Sequence, residues 1–144
     1  MLTDSILATV RPMCKVDRHD PGFDDDLIPL INGQIMMAHE FGIGYDGFTV
    51  HDEHETWADL LGNRSDVLQA MKIWLGYSVL LLFDPPDNGT VLKSYQDQIT
   101  KMEWMLCNKS CIEGHVEQYP YKSFNNESNT EPSGEEEEYE EEGE

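Results

Sequence analysis

The chain has 144 residues, room for one domain or one domain plus a tail, and a formal net charge of −20. Ten glutamates and no Lys or Arg lie between Glu127 and Glu144, yet the first 126 residues still carry 19 acids against nine bases. An acidic body with an acidic tail excludes wrapping DNA or coating an anionic membrane, because phosphate contacts need Lys and Arg; it suits the lining of a passage from which DNA is repelled.

The first segment, "MLTDSILATVRPM", has Asp4 inside its apolar portion and no small-residue cleavage site, so it does not read as a signal peptide. Ile6, Leu7 and Val10 fall on one helical face, with Thr3 or Asp4 as cap and Pro12 near the end, which predicts a short amphipathic helix. "CKVDRHDPG" reads as a loop.

"DDDLIPLINGQI", residues 24 to 35, sets three aspartates against an apolar run. Leu27, Ile28, Ile31, Ile35, Ala38 and Phe41 recur at threes and fours, which is helical period rather than strand alternation. With Asp26 as N-cap, Pro29 falls in the first turn, where its missing N–H is not needed. Asp24 and Asp25 then lie just ahead of the positive end of the helix dipole. Gly42 and Gly44 supply the stop. The aspartates therefore mark a helix start, since a metal site would need further oxygen ligands converging from elsewhere.

Asp46-Gly47 is a turn signal, and Phe48-Thr49-Val50 alternates like a short strand or extended segment. "TWADLLG" is one or two helical turns, with Thr56 as cap, Trp57, Leu60 and Leu61 facing inward and Gly62 at the end. The next helix runs from about Val67 to Phe83 with Asp66 as its cap, and its second half is apolar nearly all round. Such a helix is buried on most sides, either centrally in a bundle or between subunits. "FDPPDNG" stops it. In the last helix, about Thr90 to Asn108, Leu92, Tyr95, Ile99, Met102 and Leu106 form a seam suited to antiparallel packing on the previous helix. Trp104 and Met105 lie off that seam and need a second contact surface.

The expected architecture is a small all-α bundle of about four helices, with a long loop or short strand segment between the first and second long helices. Three units are expected: a helical domain over 1–111, an extended aromatic arm over 112–126, and a low-complexity acidic tail over 127–144 that cannot bury enough apolar surface to order itself. The longest apolar stretch, Ile73 to Phe83, is too short for a bilayer span, and three cysteines point to reduced thiols, so a soluble, intracellularly made protein is expected.

No constellation organises catalysis. "CNKSCIEGH" places Cys107, Cys111 and His115 four apart, as a helical metal face would, but a zinc site would still need a fourth ligand from Cys14, His19 or water; ordinary reduced thiols are the simpler reading. "HDEHE" is not the H-E-x-x-H zinc motif and reads as a solvated acidic loop. "FGIGYDG" lacks the Lys-Ser/Thr of a nucleotide loop, and no serine sits in a G-x-S-x-G turn. No enzyme, metal or cofactor is expected.

"FDDDLIPLINGQIMMAHEFGIG", "FTVHDEHETWADLLG" and "AMKIWLGYSVLLLFDPPDNGTVLKSYQDQITKMEWML" come in an order that resembles the tailed-phage head–tail connector family, also called adaptor or head-completion proteins. The resemblance spans about residues 1 to 110 and rests on an Asp-started helix with "LIN" ending in "GIG", the lone Trp57, the "LLLFDPP" helix end and "MEWML". It implies a structural virion protein of the neck, assembled in the host cytoplasm. Its members are helical bundles forming a homo-oligomeric ring, typically a dodecamer, under the portal protein. Such a ring extends the DNA exit channel without binding DNA specifically and offers a platform to a stopper or tail-completion protein.

On that resemblance, Trp74, Tyr77, Leu81 and Trp104 become candidate ring contacts, with intramolecular core as the alternative for each. Tyr119, Tyr121 and Phe124 become candidate anchors of a portal-docking arm, with a plain linker as the alternative. A second function class is an acidic DNA mimic or regulatory protein that binds a basic nucleic-acid enzyme. It would need carboxylates arrayed on the folded body, whereas half the excess charge lies in the tail.

Overall fold

The computed structural model describes residues 1–111, which form five α-helices and no β-strand. They are α1 (Ile6–Met13), α2 (Asp24–Glu40), α3 (Trp57–Leu61), α4 (Leu68–Phe83) and α5 (Gly89–Cys111), with a 3-10 turn, Pro21–Phe23, leading into α2. The all-α class follows the helical periodicities.

The helix starts differ in detail from the local expectation. Ser5, not Thr3 or Asp4, caps α1: its Oγ accepts the Ala8 amide at 3.2 Å. Ser5 also forms an isolated antiparallel bridge with Thr56, a contact across the fold. In α2 the three aspartates form the first turn itself, and Phe23 stands at the cap position without a side-chain hydrogen bond. Winding begins earlier because the 3-10 turn is itself capped by Asp20, whose carboxylate accepts the Gly22 amide at 2.9 Å. Pro29 consequently lies inside α2. Similarly, α4 begins after Val67 with no side-chain cap from Asp66.

Helix α4 is the centre of the bundle and packs on α1, α2 and α5. Leu68, Ala70, Met71, Trp74, Leu75, Gly76, Ser78, Val79 and Leu80 are all buried, so its lack of a polar face follows from having helices on most sides. Helix α1 closes on it over Gly76, where a Cβ would lie 2.2 Å from the Met13 sulfur. Leu27, Ile31, Ile35 and Ala38 seat α2 in the same core. The predicted seam of α5 holds: Leu106 is fully buried and Tyr95, Ile99 and Met102 pack on the core. Tyr77 and Tyr95 meet edge to face at 4.8 Å between centroids.

Asn88 caps α5, its Oδ1 accepting the Thr90 and Val91 amides at 2.9 and 3.3 Å. It extends past Asn108 to Cys111 because its last turn is tied down from the α3–α4 connection. Arg64 donates to the Lys109 carbonyl at 3.4 Å, and the Lys109 ammonium donates to the Asp66 carbonyl at 3.0 Å.

The segment between α2 and α3 forms no strand over Phe48–Val50. Instead one side chain plays the partner strand. Asn32 donates its amide to the Val50 carbonyl at 2.9 Å and accepts the Val50 amide at 2.7 Å. Thr56 then caps α3 as the sequence predicts, in a reciprocal capping box with Asp59, and Gly62 at φ +63° ends it. Trp57 is fully buried beside α1, its indole N–H donating to Thr9 Oγ1 at 3.1 Å.

Candidate interaction surfaces

The most connected polar group is Arg11, whose side chain is only 1% exposed. Its Nε and Nη2 donate to the two carboxylate oxygens of Asp24 at 2.9 and 2.6 Å, a bidentate pair. Its Nη1 donates to the Arg18 carbonyl at 2.8 Å and to the Glu53 carboxylate. The Asp24 hydrogen bonds, foremost, hold the guanidinium firmly protonated. One cation thus ties together α1, the 15–20 loop, the start of α2 and the "HDEHE" segment. This answers what the first of the three aspartates does: it anchors an arginine.

The other acids and histidines of that segment stay at the surface. His54 Nδ1 lies 2.7 Å from Asp52, whose hydrogen bond raises the imidazole pKa, and His51 Nδ1 lies 3.2 Å from Glu55. Among the described residues no three His, Cys, Asp or Glu side chains converge to hold a metal ion. Cys14 is buried in the core, and that burial, with the Asp84 charge nearby, pushes its thiol up to about 11. Cys107 is half-buried on α5, and His115 lies outside the described residues, as do Tyr119, Tyr121, Phe124 and the acidic tail.

The structure distributes the candidate contact residues of α4 and α5 unevenly. Trp74 is buried within the chain, edge to face with Phe41 at 5.6 Å, and its indole N–H donates to Glu103 at 3.1 Å. Tyr77 packs on Tyr95, and both Tyr77 and Leu81 are half-buried. Trp104 differs: it is 46% exposed on the side of α5 away from α4.

A second exposed apolar face went unread in the sequence. Met36 is 72% exposed on α2, Met37 stands beside it, and the Gly33 surface has nothing within 4 Å of a would-be Cβ. Pro29, Gly33 and Met36 are spaced by four and three, opposite the buried Leu27–Ile31–Ile35 row. That second periodic row was the available signal. An open cleft of about 410 Å³ also lies between Gly42–Tyr45 and the end of α3, bordered by Asp59, Leu60 and Arg64. No described helix is long and apolar enough to cross a membrane.

These features are a helical body around one core, exposed apolar helix faces and no converging metal-binding group among the described residues. No curated protein and no solved structure matches the chain. The family model described as phage connector protein matches residues 6–111, from the first residue of α1 to the last of α5, and the chain belongs to that family.

Proposed function

We propose that this protein forms a ring under the portal of the DNA-filled head, extends the DNA exit channel and presents a platform to a stopper or tail-completion protein. Membership of the phage connector family over the whole helical body carries this reading. Three further features support it. The acidity of the chain suits a channel from which DNA must slide freely. Exposed Trp104 and Met36 are surplus to the chain's own core and suit contact with other subunits. Residues 112–126, with Tyr119, Tyr121 and Phe124, offer aromatic anchors for docking on the portal, and the ring is dodecameric in this reading.

Native mass spectrometry of the chain titrated into the portal ring encoded beside it tests the proposal. Saturation at one copy per portal subunit is expected. Absence of binding at concentrations on the order of tens of micromolar would refute it.

A further inference from the structure

Two exposed helix faces of this chain are complementary to each other. On α2, Asp26, Pro29, Gly33, Met36 and Glu40 follow one another by threes and fours, on the side opposite the buried Leu27, Ile31, Ile35 and Ala38. All five are exposed, so the face has an apolar middle, notched at Gly33 where no side chain stands, with a carboxylate at each end. On α5, Lys93, Asp97, Lys101 and Trp104 follow by fours and a three, opposite the seam that faces α4. This face is aromatic at Trp104 and has two lysines to one aspartate. Helix α5 as a whole has three lysines against two acids, in a chain whose net charge is −20.

We propose that the outer face of α5 in one copy docks on the outer face of α2 in the next. Trp104 would enter the notch over Gly33 beside Met36, a thioether–aromatic contact, and Lys101 and Lys93, which both precede Trp104 on α5, would bracket the carboxylate at one end of the α2 face. The two faces lie on different helices that both pack on α4, so each copy keeps one face open after pairing through the other. Such a heterologous contact repeats from copy to copy and closes when the rotation between copies divides a full turn. The inference rests on the ring proposed above and assigns its subunit contact.

Sedimentation velocity of the chain without portal, at low salt where exposed charges are least screened, tests the pairing. The wild type is expected to self-associate below about 1 mM. Asp26→Lys/Glu40→Lys makes both faces basic, and Lys93→Glu/Lys101→Glu makes both acidic. Each is expected to associate at least about tenfold more weakly alone, while an equimolar mixture recovers assembly because the signs alternate again. Gly33→Leu fills the notch and is expected to weaken association without lowering the melting temperature, since leucine favours the helix more than glycine does. Circular dichroism melting of each variant confirms that the body is folded. A wild type that stays monomeric, reversed variants that assemble normally, or a mixture that stays dissociated would overturn the pairing. None of these bears on the connector role, which portal binding decides.

Discussion

Arg11 is a cation sealed in by acids that are themselves reachable by water, and that asymmetry has a measurable consequence. The Arg11 side chain is 1% exposed, whereas Asp24 is 19% and Glu53 52% exposed. Asp24→Ala removes the bidentate partner and leaves the guanidinium buried with only the Arg18 carbonyl and the half-exposed Glu53. Orphaning one member of a buried pair costs about 3–5 kcal/mol; with Glu53 still in place the lower end applies, about 3 kcal/mol or roughly 10 °C in Tm. Arg11→Met keeps most of the apolar stem, and both carboxylates turn outward to water, so the expected cost is about 1–2 kcal/mol. The double variant Arg11→Met/Asp24→Ala should then be more stable than Asp24→Ala alone. Urea denaturation of the three variants, analysed as a double-mutant cycle, gives the answer. Equal costs for the two single variants, or additive effects in the double, would refute the idea that the guanidinium is the member that cannot reach water.

Asn32→Ala should cost about 2–3 kcal/mol in the same assay, because it strips both partners from the buried Val50 amide and carbonyl; Asn32→Asp should lose the donor bond but keep the acceptor. The Cys14 thiol, held near 11 by burial, should resist alkylation at pH 8 in the folded chain and react after unfolding, as peptide mapping of iodoacetamide adducts would report. His54 should titrate by NMR above the usual imidazole value because Asp52 stabilises its protonated form. With the folded-state pKa raised, its contribution to holding the 51–54 tip is complete below the unfolded-state pKa of about 6.5 and fades as pH rises through the folded value. Asp52→Asn should return His54 to the ordinary range.

The parts of this fold that depend on neighbours in the chain were legible as residues. The rows Leu27–Ile31–Ile35–Ala38 and Tyr95–Ile99–Met102–Leu106 repeat at helical spacing and both face the core, and the Thr56–Asp59 box needs only three residues to declare itself. The apolarity of α4 left open whether helices of the same chain or of another surround it; the packing of α1, α2 and α5 on it supplies the intramolecular answer. What stayed hidden depends on distant partners. Ser5 caps α1 while bridging Thr56, and the α2 aspartates sit inside the first turn with Asp24 on Arg11; neither contact has a signature within ten residues of either member. Arg11 itself reads locally as an ordinary base in the last turn of a helix, and only the converging carboxylates explain its burial. The outer face of α2 was present as a second periodic row, masked because its only apolar side chains, Pro29 and Met36, stand around a glycine and between the charges of Asp26 and Glu40.

The substitution of one asparagine side chain for a strand partner sets the mutability of the neighbouring tip. Val50 is held by Asn32, and Glu55 accepts the Ile6 amide at 3.0 Å, so the chain is fixed at backbone level on both sides of residues 51 to 54. All four residues between these points are exposed, and only Glu53 reaches back to the bundle. The tip is in effect a cassette with fixed sockets. Doubling its length should cost about 0.6 kcal/mol in closure entropy, so sequence can be inserted after His54 for a label or tag while the helices keep their register.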